Sequence, residues 1–356
     1  MKILVYGAGP LGSLFAARLH QAGHTVSILA RGQRLADLRE YGIVLEDAQT
    51  DVQTVTRVNV VEQLAPDDEY DLVLVIMRKN KVSGILPALA ANQHTPNVLF
   101  LMNNAAGPQE LVEALGKERV LMGFPMSAGY RQGHVIRCLA GSAQRNIAIP
   151  IGEVDGSITE RTRQVARVLA SMPGYTVEIR TDMDAWLKTH VALLMPSIAP
   201  ALYAAGTDNE RMARTRDLLV LTVRAVREGF RVLHALHVPI VPERLRLFEW
   251  MPEPLLVAFV QRLIARQEMQ VALVGHANAA RDEVKHLADE FLALARSTSA
   301  PTPAIDRLYP HLDPATPLMP GGRQDIPMSW RGVWIGLGAL AGLIAASVWI
   351  LRQKGK

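Results

Sequence analysis

The sequence predicts an α/β chain in which a doubly wound parallel sheet is followed by an all-α helical domain and a C-terminal transmembrane helix. Three observations predict it. The chain opens with an apolar strand that runs into G-x-G-x-x-G and then a helix. Strand and helix patterns alternate through the first half and give way to long helical patterns after residue 181. Residues 332–351 form a run of 20 residues without a charge. The expected organisation is a dinucleotide-binding domain over 1–181, a helical domain over 182–312, a proline-rich linker over 313–330, and a membrane helix over 331–352.

The first strand is Lys2-Ile-Leu-Val-Tyr6, and Gly7-Ala8-Gly9-Pro10-Leu11-Gly12 follows it. In this Rossmann pattern Gly7 permits the tight turn, Gly9 lets backbone approach a pyrophosphate, and Gly12 lets the helix pack close to the strand. The helix N-terminus then faces the anion. The second strand, residues 24–29, ends at Ala30-Arg31-Gly32-Gln33-Arg34. An acidic residue about 20 positions past the glycines would hold a ribose 2′-hydroxyl, whereas a guanidinium clamps a 2′-phosphate. Arg31 therefore selects NADPH over NADH, with Arg34 in support.

Further short strands are expected at 43–45 and 54–60. The apolar runs 70–76 and 97–102 read as strands buried on both faces. Helical patterns fall at 81–91 and 108–115, and a β-rich stretch at 120–151 closes the sheet. One more helix and strand follow at 165–171 and 175–179. This alternation places a ligand at the carboxyl ends of the strands. Helices are then expected over 184–205, 209–236, 254–270 and 280–297.

Composition bounds the rest. A net charge of +4 over 356 residues, with basic residues scattered, leaves no nucleic-acid footprint. The single cysteine, Cys138, rules out an internal disulfide framework and reads as a buried thiol of a reducing compartment. The apolar start is cut short by the glycine turn, unlike a signal peptide. The terminal apolar run is long enough to cross a bilayer, with Trp330 and Trp334 at one end and Trp349 at the other. Gly338 and Gly342 could bring two such helices together as a homodimer. The expected location is the cytoplasmic face of a membrane, which sends the basic end Arg352–Lys356 across, against the positive-inside tendency.

Over about residues 1–312 the chain resembles ketopantoate reductases. The resemblance rests on KILVYGAGPLGSLFAARL, on Arg31, on GFPMSAGYRQGHVIRCLAG, on Ala185-Trp186-Leu187-Lys188, on Asp282-Glu283-Val284, and on the run to ARSTSAPTPAIDRLY. It implies a Rossmann domain and a helical domain with the active cleft between them, and NADPH-dependent reduction of 2-dehydropantoate to (R)-pantoate. It implies Lys188 as the catalytic lysine, Glu283 as a substrate-binding glutamate, and Asn103 as the amide after the fifth strand that touches nicotinamide ribose or substrate. Arg78 stands where the family has a cofactor-binding lysine.

Several positions depart from the pattern. A glycine-rich turn is replaced by Asn104-Ala105-Ala106-Gly107. Two asparagines after the lysine become Ala192 and Pro196, and a serine before the glutamate becomes Val271. Apolar groups thus stand where amides and a hydroxyl would grip a polar acid. The expected substrate is a 2-oxo acid or related ketone. Two alternatives stay open: another hydroxyacid or opine-type dehydrogenase, and an NADP(H)-binding, membrane-tethered sensor with impaired catalysis. His234 and His237 lack a third ligand at metal spacing, so no metal is expected.

Overall fold

The structure, a computed structural model, describes residues 1–142 and 144–334. Its strands are β1 (Lys2–Tyr6), β2 (Thr25–Leu29), β3 (Ile43–Asp47), β4 (Gln53–Thr56), β5 (Asn59–Val61), β6 (Leu72–Val75), β7 (Val98–Leu101), β8 (Val120–Gly123), β9 (Ala128–Gln132), β10 (Val135–Leu139), β11 (Ile147–Glu153) and β12 (Tyr175–Ile179). Between them run α1 (Pro10–Gln21), α2 (Gly32–Tyr41), α3 (Leu86–Ala91), α4 (Gln109–Leu115) and α5 (Glu160–Ala170).

The main sheet runs β12-β11-β8-β7-β6-β1-β2-β5. Its β5-β2-β1-β6-β7-β8 portion is parallel throughout and has the order 3-2-1-4-5-6 of a dinucleotide-binding sheet. Side chains alternate as a doubly covered sheet requires. Ile3 and Val5 face α1 and α5 through Leu14, Phe15 and Leu169, while Leu4 and Tyr6 face α3 and α4 through Leu89 and Leu111.

The region expected as a single strand at 54–60 divides. β4 pairs with β3 in a second sheet of order β4-β3-β10-β9, and β5 pairs with β2 in the main sheet. The β-rich stretch divides too: β9 and β10 form a hairpin in the second sheet, and only β8 and β11 belong to the first. Cys138 lies buried in β10, where burial pushes its thiol up to about 11.

The second half is helical: α6 (Met183–Leu193), α7 (Ala199–Ala204), α8 (Asn209–Arg214), α9 (Arg216–Ala235), α10 (Leu247–Trp250), α11 (Glu253–Ile264), α12 (His276–Ala279), α13 (Arg281–Arg296) and α14 (Pro303–Leu308). Its core surrounds α9, with Leu218, Val226 and Phe230 buried among residues of α6, α11, α13 and α14. The helix expected over 184–205 is interrupted by a π-helical stretch at Leu194–Ile198. Pro196 lacks the N–H that would bond Ala192, and the Ser197 hydroxyl reaches the Ala192 carbonyl at 3.5 Å.

Segment 313–330 does not hang free as a linker. Ile326 is buried in the helical core, and the Met319 N–H donates to the Ala204 carbonyl at 2.9 Å. The Asp217 carboxylate, 1% exposed, accepts the N–H groups of Asp325 (3.1 Å) and Ile326 (2.9 Å) and pairs with Arg323. Glu253 accepts the Ser329 N–H at 2.8 Å while paired with Arg224. Buried carboxylates on α9 and α11 thus satisfy a strand-like strap that has no sheet to join. Asp217→Ala leaves two N–H groups without their acceptor and is expected to lower stability by about 2–5 kcal/mol. Urea unfolding and faster proteolytic cleavage within 313–330 check this.

The apolar run expected to form a membrane helix lies, from residue 335 on, outside the described residues. Among the described residues no helix is long and apolar enough to cross a membrane.

Candidate active site

The glycine turn sits where β1 meets β6, the point at which the strand order reverses. Gly7 has φ 122°, and a Cβ on it would overlap the Ile76 carbonyl oxygen of the neighbouring strand end. A Cβ on Gly12 would overlap the Gly7 carbonyl oxygen, so α1 packs on the turn only because residue 12 has no side chain. Gly9 differs, because a Cβ there meets nothing within 4 Å. Gly7 and Gly12 are therefore fixed by the protein, and Gly9 keeps the outer side open.

Pro10 occupies the first helical position, no acidic residue lies in the first turn, and no side chain caps the helix. The N–H groups of Leu11 and Gly12 lack intrahelical acceptors by position. An open backbone donor set without a competing carboxylate fits a dinucleotide pyrophosphate.

Arg31 caps α2 at the end of β2. Its Nε donates to the Glu62 carbonyl at 3.3 Å and its Nη2 to the Tyr6 hydroxyl at 3.5 Å, so the guanidinium stands across the ends of β1, β2 and β5. Glu62 itself is paired with Arg39 at 2.8 Å. Arg34, expected to support Arg31, is turned inward. Its Nε donates to the Ala8 carbonyl (3.2 Å), its Nη2 to Ser13 Oγ (3.0 Å) and its Nη1 to the His134 carbonyl (3.4 Å). Arg34 shapes the glycine turn, and burial holds its pKa below the usual arginine range.

Two further loops complete the carboxyl edge. After β7, Asn104 clamps its own turn, donating to the Gly107 carbonyl at 2.8 Å and accepting the Gly107 N–H at 3.1 Å. Beside it Asn103 is buried, and among the described residues its Oδ1 has no partner. An unpartnered buried amide oxygen at a strand end fits a ligand hydroxyl. A Cβ at Gly107 would stand 3.4 Å from Asp184 Oδ1 and 3.5 Å from Lys188 Nζ, so α6 faces this loop directly. Lys188 is largely buried and its ammonium is held by Asp184 one turn earlier.

After β6 the chain is gripped by the start of α13. Arg78 pairs with Asp282 at 2.8 Å and also donates to the Ala279 carbonyl. The Lys79 N–H donates to Glu283 Oε1 at 3.0 Å, and the Lys79 ammonium lies 3.0 Å from Glu110. Arg78, expected to bind cofactor, thus joins the two domains. Glu283 is buried, which raises its pKa to about 7, opposed in part by the Lys79 N–H and by Arg78. His276 Nε2 lies 3.8 Å from its carboxylate. Burial, then the charge of Arg78, lowers the His276 pKa.

Lys188 and Glu283 are not joined to each other by an ion pair among the described residues. Lys188 faces the β7 loop, and Glu283 faces the β6 loop. His190, stacked on Trp186 (centroids 5.2 Å apart) and against Phe124, lies on α6 near His276, and burial pushes it down to about 4. No local sequence pattern marks His190, His276 or Lys79 as site residues. Asp184 was legible, four positions before Lys188 on a helix. His276 was not, since its partner arises only when α12 and α13 meet.

Other positions are settled by burial. Ala192 is fully buried, with the Cβ position of Gly229 3.3 Å away, and Pro196 and Val271 are buried in the two π-helical stretches, Leu194–Ile198 and Gln270–Gly275. Tyr203 donates to the Ala277 carbonyl at 2.9 Å beneath Arg281, and burial pushes it up to about 12. No cluster of three metal-ligating side chains occurs among the described residues.

The Glu283 carboxyl titrates near 7 when folded and near 4.3 when unfolded. Its raised value means that stability is greatest below the unfolded value and falls as pH rises towards the folded one. Urea unfolding should show a loss of roughly 3 kcal/mol between pH 4.5 and 7 from this group, flattened in Glu283→Gln.

An open glycine turn at a strand-order reversal, faced by a helical domain that carries a largely buried lysine, defines a two-domain Rossmann protein with a dinucleotide cradle. A family model for ketopantoate reductase, PanE/ApbA, matches residues 3–152. The 2-dehydropantoate 2-reductase of Mesorhizobium japonicum is 35% identical over 268 residues, spanning 65% of this chain and 77% of that protein. The chain belongs to the ketopantoate reductase family.

The chain spans 61% of the uncharacterized oxidoreductase YkpB of Bacillus subtilis, at 24% identity, and 58% of the 2-dehydropantoate 2-reductase of Listeria monocytogenes. Among solved structures, 2-dehydropantoate 2-reductase from Geobacter metallireducens aligns with a TM-score of 0.72 at 16% identity, covering 89% of this chain and 100% of that one. D-mandelate dehydrogenase, solved with NADH and anilino(oxo)acetate, aligns with a TM-score of 0.71 at 15% identity, covering 88% and 97%. These two likenesses show the fold.

Proposed function

We propose that the chain is an NADPH-dependent reductase of a 2-oxo acid or related ketone, with 2-dehydropantoate, reduced to (R)-pantoate, as the first substrate to test. The observation that carries this reading is Lys188 Nζ facing Gly107 in the same loop as the unpartnered Asn103 Oδ1. Backbone from Gly7 to Gly12, including Ala8, Pro10 and Leu11, would hold the pyrophosphate, and Arg31 the 2′-phosphate. Bound NADPH supplies a hydride for the carbonyl carbon. Lys188 donates a proton to the carbonyl oxygen as negative charge builds there, and Asp184 keeps the ammonium oriented. Asn103 Oδ1 accepts a hydrogen bond from a ligand hydroxyl.

Ala192, Pro196 and Val271 offer no amide or hydroxyl to a polar acid, which supports including ketones less polar than 2-dehydropantoate in the test. The reading is completed by a tether, in which the uncharged run 332–351 enters a membrane and leaves the two domains on the cytoplasmic face.

The test follows NADPH consumption by the full chain with 2-dehydropantoate and a panel of aliphatic and aromatic 2-oxo acids. Turnover of one of them supports the reading, and turnover of none overturns it. Arg31→Ala should weaken NADPH binding by roughly ten- to a hundredfold and leave NADH binding within about twofold, since one charge-assisted contact to phosphate is lost. Calorimetric titration with each cofactor checks this.

A further inference from the structure

The face of the molecule around the start of α11 is used by nothing described so far. Among the described residues, eleven large hydrophobic side chains are exposed, and five gather here: Trp250 (73% exposed), Leu255, Phe259, Trp330 and Trp334 (69%). The others are scattered singly or in pairs, which is ordinary for a surface, whereas a contiguous aromatic group is not.

The strap brings them together. Its Ser329 N–H is bonded to Glu253 at the first turn of α11, and Gly332 stands against Pro252, its Cβ position 3.3 Å from the proline Cα. The short helical turn of Trp330 to Trp334 is thereby fixed at the first turn of α11, next to Pro252, with Trp250 two positions before that proline and Leu255 and Phe259 on the helix that follows it. Leu255 and Phe259 lie one turn apart on the exposed side of α11, Arg262 continues the same stripe, and Arg266 is exposed just past the helix end. Arg331 is exposed between the two tryptophans. No acidic side chain lies on the stripe; Glu253 is turned inward to Arg224.

Aromatic and aliphatic side chains followed by arginines along one helix side are the composition of a surface that rests at a lipid head-group layer. There the rings sit at the boundary, and the guanidinium groups reach acidic head groups. Where the chain goes next decides the occupant. The described residues end at Trp334 on this face, and the uncharged residues 335–351 follow immediately. A segment that left from this point into a bilayer would bring this face to the lipid.

We infer that the face formed by Trp250, Leu255, Phe259, Trp330 and Trp334, with Arg262, Arg266 and Arg331, docks flat on an anionic lipid surface. The tether therefore holds the two domains in one fixed orientation. This inference rests on the tether reading of residues 332–351.

The test uses the full chain carrying Phe259→Cys, labelled with a solvent-sensitive fluorophore, in vesicles of phosphatidylcholine and phosphatidylglycerol with brominated acyl chains. Cys138 is buried and unreactive beside an exposed thiol. Ile158→Cys, exposed in the N-terminal domain, serves as the reference. The expected result is a blue-shifted emission at position 259 with bromine quenching several-fold stronger than at 158. If the protein floats with the vesicles but position 259 is quenched no more than 158, the docking face is overturned while the tether stands. If it does not float, both fall. A blue shift that is present without lipid and insensitive to bromine assigns the face to a second copy or to the chain's own tail, and also overturns the inference.

Discussion

Lys188→Ala is expected to lower kcat for the reduced ketone by roughly 10²–10⁴-fold while leaving NADPH affinity within about twofold. The ammonium acts on charge that appears at the carbonyl oxygen only as the bond to carbon forms, so its removal is felt in the transition state and little in the ground state. The fold does not depend on it. Its one strong partner is Asp184 on the same helix, and such a pair contributes a few tenths of a kcal/mol. A kinetic collapse with an unchanged melting temperature is therefore the signature. Lys188→Arg should not restore the rate, because a planar fork replaces a point donor and the guanidinium does not release its proton near neutral pH. Stopped-assay kinetics and thermal unfolding on the two variants check it. Activity within a few-fold of the parent would remove Lys188 from the chemistry.

Gly12→Ala is expected to cost at least about 3 kcal/mol of stability and to abolish dinucleotide binding. The new Cβ meets the Gly7 carbonyl oxygen, which is backbone and cannot rotate aside, so α1 must lift from the turn. Gly9→Ala separates the two roles. Its backbone, φ −70° and ψ −176°, is one that alanine adopts readily, and its Cβ meets nothing within 4 Å. Stability should change by about 1 kcal/mol or less, the price of a poorer helix cap, while affinity for the dinucleotide falls at least tenfold because the open side is now occupied. Denaturant unfolding paired with calorimetric titration distinguishes the two. Equal losses of binding and stability at Gly9 would mean that the turn does not face the ligand.

The parts that the sequence disclosed were those encoded locally. The glycine turn, Arg31 at the end of the second strand, and the buried runs around Leu72–Val75 and Val98–Leu101 announce themselves within a few residues, because turn geometry and burial on both faces leave short patterns. The parts it withheld depend on distant partners. Residues 313–330 have the proline content of a loose connector, yet their N–H groups find Asp217 and Glu253, more than 70 positions away. Arg34 reads as a second phosphate ligand until α2 is folded against the turn, when it faces Ala8 and Ser13 instead. The division of 54–60 between two sheets follows from strand pairing, which alternation alone does not specify. Arg78 and Glu283 have the residue types of a ligand site, and only the meeting of the β6 loop with α13 shows that they also join the domains.

The inward guanidinium of Arg34 has one more consequence. Three carbonyl and hydroxyl oxygens from the glycine turn, α1 and the β9–β10 hairpin are gathered by a single planar group, and each of its hydrogen bonds is complete before any nucleotide arrives. The conformational entropy of that turn is thus surrendered during folding rather than on association. Capture of the coenzyme should be rapid, with little disorder-to-order signature in its heat capacity, and a neutral residue at position 34 would slow it by making the cradle assemble afresh at every encounter.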